Sequence, residues 1–212
     1  MDKIIYSEGM IQRLSQYLKF VVSLKDIGKR TVTSKDISEN TKINSAEVRR
    51  DLIYFGIKGK RGVGFKIDEL IKSFNKILGY EDNIKIALIG AGNLGRAILN
   101  YKVLNKFGFH IEYVFDNDKN LIGKKISGIE VLDISDLKNK IKNNSVKVAI
   151  LAVSPNAAQE VTDLLVDSGI KVIINYTSVP VETPPNINIQ SADPIEILLH
   201  TLYYLSRTGQ TY

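Results

Sequence analysis

One stretch limits what this chain can fold into more than any other. Residues 84–116 read Ile-Lys-Ile-Ala-Leu-Ile, then Gly90-Ala91-Gly92-Asn93-Leu94-Gly95, then a helical run, then Ile111-Glu112-Tyr113-Val114-Phe115-Asp116. The first glycine permits a tight turn out of a strand, the second lets backbone approach a pyrophosphate, and the third lets a helix pack close to that strand. The helix then begins with free N–H groups and the positive end of its dipole, both of which favour an anion. Asp116 follows Gly95 by 21 positions and ends the next predicted strand. A carboxylate at that spacing meets a ribose 2′-hydroxyl and repels a 2′-phosphate, so NAD(H) is expected over NADP(H). The cofactor-binding candidates are Gly90, Ala91, Gly92, Asn93, Leu94, Gly95, Asp116 and its neighbour Asn117. Glycines also occur in plain strand-to-helix turns, and a turn without a ligand is the competing reading.

Past Asp116, residues 122–131 read as irregular strand and loop, 135–143 as a helix, 147–153 as a buried strand, 156–168 as a helix and 170–175 as another buried strand. Strands alternating with helices predict a Rossmann-like, doubly wound parallel sheet of the α/β class. Such sheets bind ligands beyond the carboxyl ends of their strands, which adds Val153, Ser154 and Asn175 as candidates near the nicotinamide half.

The basic charge is unevenly placed. Residues 1–80 hold 16 Lys and Arg against 9 Asp and Glu, whereas residues 81–212 hold 13 against 14. Confinement of the excess to one segment favours a polyanionic partner over a merely solvated face. Within that segment Ser7 can cap a helix whose apolar positions run from Ile11 to Val22, and Thr33-Ser34-Lys35-Asp36 reads as a capping box opening a short helix. A second box, Asn44-Ser45-Ala46-Glu47, opens a helix with Val48, Leu52 and Phe55 on one side and Arg49, Arg50 and Ile53 on the other. Next, Lys58-Gly59-Lys60-Arg61-Gly62-Val63-Gly64 interleaves glycines with cations before a strand-like Phe65. Helix, turn, helix and basic wing in that order predict a winged-helix domain that binds double-stranded DNA. Ser45, Arg49, Arg50, Lys58, Lys60, Arg61 and Gly62 are its contact candidates.

The expected division is a DNA-binding domain over 1–80, an NAD(H)-binding domain over 81–192 and a terminal helix with tail over 193–212. The last opens on Asp193-Pro194-Ile195-Glu196, and its apolar content suits either its own sheet or a partner chain. The chain has no cysteine, which excludes disulfides, thiolate nucleophiles and cysteine zinc sites and fits a reducing cytoplasm. No run is apolar enough to span a membrane, so no membrane partner is expected. His110 and His200 are the two histidines, one at a strand start and one in the apolar terminal helix. Neither suggests a proton relay, the Tyr101-Lys102 pair lacks the YxxxK spacing of short-chain reductases, and no catalytic residue or metal site is assigned. The rival class is a small NAD-dependent oxidoreductase with an accessory basic domain, and a third reading is an oligomerisation module with a vestigial cofactor loop.

Together these motifs resemble the Rex family of redox-sensing transcriptional repressors. The resemblance is carried by Arg49-Arg50-Asp51-Leu52 followed by Tyr54-Phe55-Gly56, by Gly59-Lys60-Arg61-Gly62-Val63-Gly64, by the glycine run continuing into Arg96-Ala97, and by Leu151-Ala152-Val153-Ser154-Pro155 followed by Ala157-Ala158-Gln159. It implies a homodimer on a palindromic operator, released when NADH rises, with the terminal helix exchanged between protomers. It also implies a role near the cofactor for Tyr101. Some relatives join an arginine of the first helix to an aspartate near the terminal helix. The nearest counterparts here are Lys19 and either Ala192 or Asp193, so that contact is not carried over.

Overall fold

The computed structural model describes residues 6–79 and 83–207, and the chain divides into two compact units between residues 82 and 83. In the first, α1 (Glu8–Asp26) starts where the Ser7 side chain accepts the Met10 N–H, and it buries Leu14, Tyr17, Leu18, Val21 and Val22 at helical spacing. After β1 (Thr31–Val32), α2 (Ser34–Thr41) opens on a reciprocal capping box: the Thr33 hydroxyl accepts the Asp36 N–H and the Asp36 carboxylate accepts the Thr33 N–H. Lys42, at φ 61°, stops that helix in the left-handed region, and α3 (Ser45–Tyr54) begins just beyond. The second expected box does not form. The Asn44 side chain accepts the Ala46 N–H, at 2.8 Å, and the Glu47 carboxylate lies 3.4 Å from Arg13 of α1. The hairpin strand β2 (Phe65–Lys66) pairs antiparallel with β1, and α4 (Ile67–Leu78) packs on α1 through Ile67, Leu70 and Phe74. This is a winged helix.

The second unit runs β3 (Ile84–Ile89), α5 (Asn93–Asn100), α6 (Val103–Lys106), β4 (Phe109–Asp116), β5 (Lys125–Ile126), β6 (Ile129–Asp133), α7 (Leu137–Asn144), β7 (Val148–Leu151), α8 (Ala158–Asp167), β8 (Val172–Asn175), β9 (Asn188–Ser191) and α9 (Pro194–Arg207). The sheet order is β5-β6-β4-β3-β7-β8-β9, and every pairing is parallel except β5 with β6. Without β5, the strands counted along the chain lie in the dinucleotide-binding order, which reverses direction between β3 and β7. Alternation along β3 feeds both faces. Ala87 and Ile89 pack with Leu137, Ile141, Val161 and Leu165 of α7 and α8, while Ile86 and Leu88 pack with Ile98 of α5.

Two regions differ from the sequence reading. Residues 122–131 contribute a hairpin, β5 and β6, turned at Gly128 with φ 88°, and residues 188–191 add the edge strand β9. Both are short and place Glu130, Asn188 and Gln190 at exposed positions, so neither shows the continuous apolar run of a buried parallel strand. At α9, Asp193 accepts the Ile195 N–H at 2.9 Å, but Glu196 accepts the Ser191 hydroxyl at 2.9 Å and closes no box on Asp193. Ile195, Ile197, Leu198 and Leu199 of that helix are each more than half exposed.

Candidate functional site

The three loop glycines divide by what surrounds them. Gly90 turns out of β3 at φ 98°, and a Cβ there would collide with the Ala152 carbonyl oxygen, just past β7. A Cβ on Gly95 would run into the Gly90 carbonyl oxygen, so α5 lies directly on the loop. Gly92 has an unremarkable φ of −68°, and a Cβ there would meet nothing within 4 Å. Its bare backbone faces open space, and it begins α5 with no side-chain cap. The N–H groups of the first turn therefore stay available to an anion. Arg96 of α5 donates Nε to the Ala91 carbonyl at 3.0 Å and sets a cation beside the loop.

Asp116, at the end of β4, closes the same corner. Its Oδ2 accepts the Ala91 N–H at 2.7 Å and its Oδ1 the Asp118 N–H at 2.8 Å. A carboxylate accepts about four hydrogen bonds, so capacity remains for the hydroxyls of a ribose. A cavity of about 250 Å³ opens here at the point where the sheet reverses direction, lined by Gly90, Gly92, Asp116, Asn117, Val153 and Ser154 among others. The sequence reading missed Ala152, Ile134, Ala157 and Val161, which add apolar wall. The LAVSP run and the Ala157-Ala158-Gln159 that follows it pointed to Ala152 and Ala157, but Ile134 and Val161 come from segments with no motif.

Other candidates lie elsewhere. Asn93 and Leu94 are exposed on the first turn of α5. Tyr101 caps the opposite end of α5 and does not line the cavity. Asn175 lines a separate hollow near Asp193, with its side chain engaged: Nδ2 donates to the Val179 carbonyl at 2.9 Å, and Oδ1 accepts from the Thr177 N–H and hydroxyl. A larger hollow of about 420 Å³ in the first unit involves Asp36, whose carboxylate is already committed to the α2 cap.

On the first unit, α3 turns Arg49 and Arg50 outward. Arg49 bends back over its own first turn, with Nη2 donating to the Ser45 hydroxyl at 3.2 Å and Nε to the Ser45 carbonyl at 3.3 Å. The wing is a tight loop in which Lys60 and Gly64 exchange backbone hydrogen bonds of 2.8 and 2.9 Å, with Gly62 at φ 78° on its tip. Glycine is required at its base, because a Cβ on Gly64 would collide with the Val32 carbonyl oxygen and one on Gly59 would press the Phe65 ring at 2.8 Å. Lys58, Lys60, Arg61 and Gly62 are exposed along it. Phosphates attract such a cationic loop, and the exposed helix beside it has the shape of a major-groove reader.

A buried cluster holds α3 to α1. Asp51, only 4% exposed, accepts Arg13 Nε at 2.7 Å and Nη2 at 2.8 Å, and the Tyr17 hydroxyl at 2.8 Å. Burial alone would raise the Asp51 pKa, but the hydrogen bonds from Arg13 and Tyr17 and the charge of Arg13 hold it below the ordinary carboxylate value. Burial, reinforced by the bond to Asp51, pushes Tyr17 up, and the bond to Asp51 raises Arg13 further still. Asp51 sits on the apolar stripe of Val48, Leu52 and Phe55, and that position was the available signal for a buried acid.

A groove-reading helix and basic wing on one unit, with a dinucleotide-type corner on the other, define a ligand-responsive DNA-binding regulator. Residues 7–52 match the family model "Putative DNA-binding protein N-terminus", and residues 81–179 match the CoA binding domain model. The redox-sensing transcriptional repressor Rex of Rubrobacter xylanophilus is 41% identical over 94% of this chain and 92% of its own. That of Lactobacillus acidophilus is 38% identical over 97% of each chain. The crystal structure of RSP in complex with β-NAD+ and operator DNA superposes with a TM-score of 0.82 at 32% identity, over 97% of this chain and 95% of RSP. RSP in complex with β-NADH gives 0.80 at 30% identity, over 97% of each chain. The chain belongs to the Rex family of redox-sensing transcriptional repressors, as its motifs implied. These relatives are named as repressors, which sets the oxidoreductase alternative aside.

Proposed function

We propose that this chain represses transcription as a homodimer on a palindromic operator and leaves it when NADH binds at the corner between Gly92 and Asp116. The observation that carries the reading is that one loop holds two rigid glycines and one open glycine, with an uncapped helix start beside it and a carboxylate with spare acceptor capacity. The residues fit the cofactor: Gly92 and the first turn of α5 would receive the pyrophosphate, and Asp116 the ribose. Asn117, Val153 and Ser154 line the same cavity, which supports their assignment. Arg49, Arg50, Lys58, Lys60 and Arg61, with Ser45 and Gly62, would meet the duplex. Residues 1–80 then form the DNA-binding domain, 81–192 the NAD(H)-binding domain and 193–212 the exchanged dimerisation segment, of which 208–212 lie outside the described residues.

The apolar side chains that α9 leaves exposed support its burial against a second copy of the chain. Among the described residues no helix is long and apolar enough to cross a membrane, and action in the cytoplasm follows from the transcriptional role.

Switching requires NADH to bind the DNA-incompetent arrangement more tightly than the competent one, since equal affinity for both would shift nothing. Full reversal of occupancy needs a differential of about 10⁴-fold, and a partial response needs less. Titration of NADH into a complex with labelled operator should release the DNA at concentrations where NAD+ does not. DNA affinity indifferent to NADH would overturn the sensor reading. The exposed arginines give an internal check, because Arg61→Ala should flatten the salt dependence of binding by about one phosphate contact.

A further inference from the structure

The outward side of α3 is a single stripe. Ala46, Arg49, Arg50 and Ile53 fall at helical spacing and are all exposed, while Val48, Asp51, Leu52 and Phe55 turn inward. Ile53 is 73% exposed, the most exposed large hydrophobic side chain among the described residues. Its neighbour Tyr54 is also exposed, but its ring meets that of Tyr6 edge-on at 5.9 Å. Single exposed aliphatic residues are ordinary on protein surfaces. This one stands one turn beyond two arginines on the helix face that the fold offers to a major groove. The apolar group that a duplex displays in that groove is the 5-methyl of thymine.

We propose that Ile53 determines operator specificity by packing its side chain on a thymine 5-methyl group within the half-site. The inference rests on the reading that α3 enters the major groove. Ile53 lies three positions beyond Arg50, a rise of about 4.5 Å, and base pairs stack about 3.4 Å apart. The thymine therefore lies within about two base pairs of the arginine contact. Ala46, at the other end of the stripe, has a shorter reach and allows close approach of the helix to the groove floor.

The test begins with an operator selected from random duplexes by the full-length protein. Each thymine of the half-site is then replaced in turn by deoxyuridine, which removes the 5-methyl and keeps the pairing edge. Binding by the unsubstituted protein should weaken by about three- to fivefold at one such position, the scale of one buried methyl-sized group. Ile53→Ala should bind the selected operator more weakly and lose that sensitivity at the same position, with its salt dependence unchanged. Ile53→Val should retain part of it. If Ile53→Ala responds to every deoxyuridine as the unsubstituted protein does, the thymine contact is wrong while DNA binding stands. If selection enriches no duplex, the groove reading itself fails and this inference falls with it.

Discussion

Each unit of this protein has an aspartate around which its neighbours are arranged, and the two are held in opposite ways. Asp51 is buried and closed by side chains of its own unit, with the Arg13 fork and the Tyr17 hydroxyl fixed upon it. Asp116 is half-buried and held by backbone N–H groups alone, one per oxygen, beside a cavity. A carboxylate whose partners are all supplied by the fold works on the fold. One left with acceptor capacity at a cavity is set for a ligand. The glycine loop divides in the same manner: Gly90 and Gly95 are pressed on neighbouring carbonyl oxygens, while Gly92 faces open space.

The largest test of this contrast is Asp51→Ala. It would leave the Arg13 guanidinium and the buried Tyr17 hydroxyl without their acceptor, and removal of one partner from such a cluster costs about 3 kcal/mol. Urea denaturation followed by circular dichroism should show that loss, and operator binding should fall with it because α3 loses its tie to α1. A loss under about 1 kcal/mol would mean that the cluster merely decorates the interface between the two helices.

How far these features could be read from the sequence follows from the range of the interactions. The glycine loop, the α2 capping box and the wing depend on residues a few positions apart, and each was legible in the spacing. The Asp51 cluster depends on partners 34 and 38 positions away, so the acid on an apolar stripe was visible while Arg13 and Tyr17 were not. Glu47 was misread for the same reason, since its partner Arg13 lies on another helix. Strand β9 escaped because an edge strand with exposed Asn188 and Gln190 shows no buried run, and it is specified by its pairing with β8.

At the open end of the contrast, Asp116→Ala should weaken NADH by about 10- to 100-fold, the worth of hydrogen bonds to a charged acceptor. Folding stability should fall by about 1 kcal/mol, less than for Asp51→Ala, since the N–H of buried Ala91 loses its acceptor while that of Asp118 is exposed to solvent. Gly92→Ala sharpens the same point. The backbone accepts a side chain there without strain, so the melting temperature should hold while NADH binding, measured by calorimetry, falls. Gly95→Ala should instead lower the melting temperature, because its Cβ would drive α5 off the loop. Equal melting temperatures for the two alanine variants would break the division between closed and open glycines.

The smallest expected effect is the pH signature of the closed aspartate. Asp51 has a folded pKa below its ordinary value of 3.8, so its contribution is complete above that value and is lost as pH falls through the folded one. Tyr17 is raised above its ordinary 10.0, so its contribution is complete below that and is lost as pH rises through the folded value. The cluster therefore supports the first unit most fully between about pH 4 and pH 10 and fades at both ends. Asp51→Asn removes the Asp51 part of the acid-side titration and leaves that of Asp36, which the hydrogen bonds from Thr33 hold below its ordinary value. Below pH 4 its stability should fall less steeply than that of the unsubstituted protein, by up to about 1 kcal/mol per pH unit. The alkaline loss should persist, because burial is the largest cause of the Tyr17 shift and does not need the carboxylate. Parallel acid limbs in urea midpoints of the two proteins would show that Asp51 is not the group being titrated.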